Sequence, residues 1–194
     1  MKVDLNPSLR VLRGTFNDWV YRTVNGRVVV SPRPKPTERE PSATQLAQRK
    51  RFAYAMSYAQ EVLSNPCQRE WYEELARSQN RRADKIVAAD YLTLPEVRRI
   101  DLSEYRGQPG GIVRVIAVDD VEVVGVRLSM RLAAGALLEE GAAMKIHGVW
   151  CYTATQAAPI GESVNLTATA IDRPGNEASA TVAYPSAADA GAGR

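Results

Sequence analysis

One histidine, two cysteines and two phenylalanines in 194 residues leave little material for most catalytic and metal-binding chemistries. Nucleophilic catalysis needs a Ser, Cys or Thr beside a base. His147 stands before Gly148 at an expected strand end, and no relay can be built around it. Cys67 and Cys151 lie far apart and neither belongs to a C-x-x-C pair. They read as free thiols, and a zinc site lacks ligands. No G-x-x-x-x-G-K-[ST] or G-x-G-x-x-G pattern is present, and the glycines of 107–111 precede a strand where a phosphate loop would precede a helix. No apolar run reaches the roughly 18 residues that span a bilayer, and residues 1–6 lack the basic-then-apolar order of a secretory leader. The expectation is a non-enzymatic, cofactor-free chain without a membrane segment, cytoplasmic or assembled into a particle inside a cell.

Carboxylates are present but badly placed for acid–base work. Neighbours on a helix point about 100° apart and neighbours on a strand to opposite faces. The pairs Glu73, Glu74 and Glu139, Glu140 therefore read as solvated surface. Asp119, Asp120 and Asp172 with Asn176 could gather oxygens around Ca²⁺ at one end of a sheet. The same residues are what turns require, Asp and Asn for backbone donors, Pro174 for φ and Gly175 for positive φ. The turn reading is preferred, and no metal site is assigned.

Charge is unevenly spread along the chain. Residues 1–94 hold 16 Lys and Arg against 10 Asp and Glu, whereas residues 95–194 hold 9 against 12. A basic first half and an acidic second half suit an acidic partner, either nucleic acid or the acidic half of another copy.

The segment 19–30 carries a hairpin signal, with Trp19, Tyr21, Val24, Val28 and Val30 flanking Asn25 and Gly26, the strongest cue for a type I′ turn. A lone two-stranded hairpin is marginal in water, so this one needs a further surface. Pro32, Pro34 and Pro36 then fix an extended, polyproline-like stretch that cannot enter a sheet interior. Ser42 as N-cap and Gln45 three residues on open a helix on which Leu46, Phe52, Met56, Ala59 and Leu63 recur at helical spacing. Asn65 and Pro66 end it and start a second, bearing Trp71, Tyr72, Leu75 and Ala76, with Arg77, Arg81 and Arg82 at its close. A shorter helical stretch follows over 83–89. After Pro95 the period becomes two, in strands over 97–101, 112–118, 121–130, 137–141, 149–154, 163–171 and 177–184. So many short strands in about 90 residues describe a β-sandwich.

The expected class is α+β, an N-terminal β-hairpin arm and two-to-three-helix segment followed by an immunoglobulin-like sandwich. The divisions are an arm with its proline linker (1–41), a helical hairpin (42–94), the sandwich (95–185) and a disordered tail (186–194).

The sandwich resembles the bacterial immunoglobulin-like domains through Asp172, Arg173, Pro174, Gly175 and Asn176 between the last strands, Trp150 and Tyr152 in mid-domain, and Ala117, Asp119 and Asp120 closing a strand. The resemblance covers 95–185, lacks the antibody-type cysteine pair, and implies a binding or spacer module without catalytic residues. A basic arm and a helix with Ser42, Gln45, Arg49, Arg51 and Phe52 ahead of such a sandwich is similar to uncharacterised bacterial and phage-associated proteins.

The functional expectation is a structural or assembly protein, a self-associating subunit of a phage-like or filamentous particle. Its contacts would come from Trp19, Tyr21, Val24, Val28, Val30, Pro32 and Pro34, with a homo-oligomer as product and other structural proteins of the particle as further partners. The alternative is nucleic-acid binding through Arg27, Arg33, Lys35, Arg49, Lys50 and Arg51, the sandwich then serving as a protein-binding module.

Overall fold

The computed structural model describes residues 14–24, 27–35 and 40–185. The Asn25–Gly26 turn, Arg10, Arg13, Pro36, Arg39 and the expected tail lie outside the described residues. The chain divides into two compact units, Met1–Thr44 and Gln45–Arg194.

The first unit holds an antiparallel sheet of order β1-β2-β3, formed by β1 (Gly14–Phe16), β2 (Trp19–Val24) and β3 (Arg27–Pro32). Sequence reading found the β2–β3 pair and missed β1, because three residues starting with a glycine carry no alternation. Asn17, at φ 50°, and Asp18 reverse the chain between Phe16 and its partner Trp19. The Arg33 amide donates to the Asp18 carbonyl at 2.6 Å, extending the outer ladder by one rung.

The second unit begins with α1 (Ala43–Ser64), α2 (Pro66–Ser78) and α3 (Ala83–Leu92). Asn65 caps α2 as its sequence suggests: Oδ1 accepts from the amides of Cys67 and Gln68 at 3.0 and 3.3 Å, and Pro66 fills the first helical position, where no donor is needed. Arg82 does not close α2. It precedes α3 and forks onto Asp84 in that helix's first turn, at 3.0 and 2.8 Å.

The helices form a three-membered group rather than a hairpin, with α3 as its hub. Ile86, Val87 and Ala88 are buried together with Ala55, Ala59, Val62, Tyr72 and Ala76. On α1 only the later turns are covered. Leu46 is 52% and Phe52 47% exposed, and the Phe52 ring is met by Lys85 Nζ at 5.3 Å from its centroid.

Two four-stranded antiparallel sheets follow, a β-sandwich-like arrangement that makes the chain α+β. One has the order β4-β5-β9-β8, from β4 (Glu96–Glu104), β5 (Ile112–Val118), β9 (Val149–Thr153) and β8 (Met144–Ile146). The other has the order β11-β10-β6-β7, from β11 (Glu177–Tyr184), β10 (Val164–Asp172), β6 (Val123–Leu132) and β7 (Leu137–Ala142). Period-two alternation on β10 sends Val164, Leu166, Ala168 and Ala170 inward, each fully buried. They meet Leu128 and Met130 of β6 and Val113, Val115, Trp150 and Tyr152 of the facing sheet in one core.

His147 is not in a strand. It and Gly148, at φ 49° and 85°, form the two-residue turn between β8 and β9. The adjacent glutamates also part company. Glu140 is exposed, whereas Glu139 is buried and its Oε2 accepts from Thr155 N and Oγ1 and from Gln156 N at 2.6–3.2 Å. Alternation on β7 turns one acid inward, where it pins the 155–156 loop instead of meeting water.

Candidate functional site

Cross-strand register gathers the expected contact residues of the first unit. Phe16 pairs with Trp19, Trp19 with Pro32, Tyr21 with Val30 and Thr23 with Val28, and directly opposed residues share a face. Phe16, Trp19, Tyr21, Val28, Val30 and Pro32 therefore form one apolar row. Phe16 is 68% exposed, Trp19 48% and Val30 46%. Val24 pairs with Arg27, out of step with that row, and Pro34 lies beyond the strand. β3 has a partner on one side only among the described residues, leaving a six-residue edge. Phe16 was missed because it belongs to the short strand that alternation does not reveal.

The basic residues are divided between the two units. Arg27, Arg33 and Lys35 are exposed in the first unit. Arg49, Lys50 and Arg51 are successive residues of α1 and so fan around the helix. Arg51 Nη2 donates to the Leu92 carbonyl at 2.8 Å, satisfying the end of α3, and Lys50 lies 5.9 Å from the Tyr54 ring centroid.

A second constellation lies within the second unit, where α3 meets the ends of β5 and β10. Asp90 is fully buried near the end of α3, and its Oδ2 accepts from the Tyr72 hydroxyl at 2.7 Å. Its Oδ1 is buried with no hydrogen-bond donor among the described residues. Asp119 follows β5. Its Oδ2 accepts from the amides of Val121 and Glu122 at 3.1 Å each, and its Oδ1 is likewise buried and undonated. Asp120 beside it is exposed. Asp90, Asp119 and Asp120 each place one carboxylate oxygen so that all three lie within 4.8 Å of one another.

Burial dominates the electrostatics here. It pushes the Asp90 carboxyl up to about 7; the Tyr72 hydroxyl bond opposes this, and Asp119, Asp172 and Asp120 add to it. Asp120, although exposed as a residue, is raised first by partial desolvation of its carboxyl and then by Asp119, with Arg81 opposing. Asp172 is raised by burial, its bonds from Asn176 opposing and Asp119 adding. Tyr72 is raised by burial and by its bond to Asp90.

Asp172, Arg173, Pro174, Gly175 and Asn176 form a turn, as read from sequence, and also fasten the helices to the sandwich. Asp172 Oδ1 accepts from the Asn176 amide at 2.6 Å and Oδ2 from Asn176 Nδ2 at 2.8 Å. The same Nδ2 reaches the carbonyls of Thr93 and Tyr91 at 3.1 and 3.3 Å, satisfying the chain as it leaves α3. Arg173 lies 3.6 Å from the Trp71 ring centroid, and its Nε donates to Glu122 at 2.8 Å. A groove of about 390 Å³ opens beside this junction, with Trp71, Leu75, Asp119, Val121 and Lys145 in its walls. Asp90 was missed as a member of the cluster because nothing local in 83–92 marks it. Only the tertiary fold brings it to Asp119 and Asp120.

No family model matches the chain, and no curated protein does. Solved structures give partial likenesses. CopC from Methylosinus trichosporium OB3b is 13% identical, with TM-score 0.35 over 46% of this chain and 89% of that one. A Br derivative of BhCBM56 is 18% identical, with TM-score 0.30 over 41% and 84%. A conjugative transposon lipoprotein from Bacteroides eggerthii DSM 20697 is 13% identical, with TM-score 0.27 over 47% and 94%. At these scores the likeness assigns neither family nor activity. No helix among the described residues is long and apolar enough to cross a membrane.

Proposed function

We propose that the chain is a non-enzymatic assembly subunit that docks through its N-terminal sheet onto a second copy of itself. The observation that carries this reading is the apolar row of Phe16, Trp19, Tyr21, Val28, Val30 and Pro32, three of whose side chains are close to half exposed or more. Beside the row, β3 has a strand partner on one side only among the described residues, and its free side offers main-chain groups of the kind that strand addition uses. A second copy is favoured over an unrelated partner by charge, since the same chain carries a basic first half and an acidic second half in its sequence. Head-to-tail contacts of this type close into rings or propagate as filaments, according to whether the rotation closes. A phage-like or filamentous particle is the setting this reading favours.

We read the sandwich as immunoglobulin-like. The orders β4-β5-β9-β8 and β11-β10-β6-β7 have the connectivity of ABED and GFC sheets with an added strand beside C. Trp150 lies on β9 rather than β6, where antibody domains carry their core tryptophan, so the support is topological.

The test is the mass of the full chain in solution, against a variant with Trp19→Ser and Val30→Ser. The expected result is an oligomer that falls to monomer in the variant. A wild-type monomer at high concentration, or an oligomer untouched by the substitutions, would remove the reading. A salt-sensitive association with single-stranded DNA, lost in Arg27→Glu with Arg33→Glu, would favour the basic residues as a nucleic-acid surface instead.

A further inference from the structure

The geometry points to a binding site for a hard divalent cation, Ca²⁺ ahead of Mg²⁺, formed by Asp90 of α3 with Asp119 and Asp120 after β5. The three carboxylates each bring an oxygen into a space 4.8 Å across. Proximity alone would describe many solvated acidic surfaces. Here the Asp90 side chain is fully buried, and its Oδ1 has no donor among the described residues. Asp119 Oδ1 is in the same condition. A buried carboxylate oxygen without a donor leaves its desolvation uncompensated, and carboxylates packed together repel. One cation between them answers both costs.

The surrounding groups leave that role open. Tyr72 satisfies only the other oxygen of Asp90, and two backbone amides only the other oxygen of Asp119. Of the nearby cations, Arg173 on the β10–β11 turn is committed to Glu122 and the Trp71 ring, Arg81 donates to Gln79 Oε1 at 3.3 Å, and Lys145 lies 5.4 Å from the Trp150 ring centroid. Asp172 is engaged on both oxygens by Asn176 and is not needed as a ligand. The donor set is oxygen only, which selects a hard ion. Ca²⁺ tolerates irregular sets of six to eight oxygens at about 2.3–2.6 Å, whereas Mg²⁺ demands a near-ideal octahedron and usually keeps one or two carboxylates. Three carboxylates from two separate segments suit the former. Access is provided by exposed Asp120 and by the groove that Asp119 lines. A bound ion would tie α3 to the sandwich where Asn176 already holds it, and the site stands whatever the N-terminal sheet does.

The experiment is calorimetric titration of the full-length chain with CaCl2 and with MgCl2, paired with melting in Ca²⁺ and in EDTA. Expected are one Ca²⁺ per chain, a Tm higher in Ca²⁺ than in EDTA, and Mg²⁺ at least tenfold weaker. Asp120→Asn, exposed and therefore safe for folding, is expected to weaken Ca²⁺ at least tenfold without lowering the Tm in EDTA. Glu162→Gln, an exposed acid before β10 and so at the far end of that strand from Asp172, is expected to leave binding unchanged. No heat and no Tm difference in the wild type, Mg²⁺ binding as tight as Ca²⁺, or undiminished binding in Asp120→Asn would each overturn the assignment.

Discussion

The two sheets-bearing units treat the same strand chemistry in opposite ways. On β10, alternate residues Val164, Leu166, Ala168 and Ala170 are fully buried, and Thr167 and Thr169 of the other face bond across to Thr181 and Ser179 at 2.9 and 2.8 Å. On the N-terminal sheet the equally regular row of Phe16, Trp19 and Val30 leaves about half of each side chain or more in solvent. Period-two patterning therefore specifies a strand in both places but a core in only one. A second layer makes the difference, since a sheet face becomes interior when another sheet covers it. Large apolar side chains displayed on a small sheet are the usual mark of a contact surface.

Truncation should break the comparison most sharply. Leu166→Ala removes a fully buried side chain from between the sheets and is expected to cost roughly 2–5 kcal/mol, read by denaturant unfolding of the sandwich. Trp19→Ala removes a larger side chain but one already half in water, and is expected to cost under about 1 kcal/mol when the chain is held dilute. Equal losses would mean that the N-terminal row is buried in the free chain.

Overfilling probes the same contrast with a smaller effect. A methyl at Gly141 on β7 would lie 2.7 Å from Tyr152 Cε2, in a core where that ring is nearly buried. Gly141→Ala should destabilise by about 1–3 kcal/mol, since the ring has to shift. At Gly14 on β1 an added methyl meets nothing within 4 Å, but φ there is +136°, so any loss in Gly14→Ala would come from backbone strain and not from crowding. Near-ultraviolet circular dichroism, which senses the tyrosine environment, should change in the first variant and stay constant in the second.

Asn176→Ala addresses the link between helices and sandwich. It deletes the amide that Thr93 and Tyr91 carbonyls accept from and leaves Asp172 Oδ2 without its partner. The expected cost is about 1–2 kcal/mol. Amide exchange should speed up in α3 while β10 and β6 keep their protection. Uniform loss across both would show that helices and sandwich unfold as one cooperative piece.

These cases show what was legible in the sequence. Local signals such as the Asn65–Pro66 junction, the alternation on β10 and the 172–176 turn were readable because their causes lie within a few residues. β1 was not, since three residues carry no period, and Glu139 read as surface because its partners are 16 residues away. α3 was read as a minor stretch, yet it is the hub of its cluster, a property of neighbours and not of its own composition. Among the site residues, the row on β2 and β3 follows from alternation with Val24 out of step. Arg49, Lys50 and Arg51 are all exposed on α1, but as consecutive helical residues they point in different directions around it. Asp90 was invisible because 29 positions separate it from Asp119.

The pH dependence of stability is the most diagnostic test of the acidic junction. In chelator, the folded state keeps Asp90 protonated up to about 7, chiefly through burial, while an unfolded aspartate ionises near its ordinary 3.8. The folded form then binds more protons than the unfolded one between those values, so stability falls as pH rises through that window and is fully retained below it. The groups facing Asp90 are Tyr72 from α2, Tyr58 from α1, Asp119 and Asp120 from the β5–β6 loop, and Asp172 with Arg173 from the β10–β11 turn. Of these the carboxylates deepen the decline and the Tyr72 bond moderates it. Asp90→Asn keeps an acceptor for the Tyr72 hydroxyl and removes the charge, so its Tm in EDTA should exceed that of the wild type at pH 8 by a few degrees and match it near pH 4. The N-terminal sheet has no buried acid among its described residues, and Trp19→Ala should leave this pH profile unchanged. An Asp90→Asn profile parallel to wild type across pH 4–8 would place the titration elsewhere in the molecule.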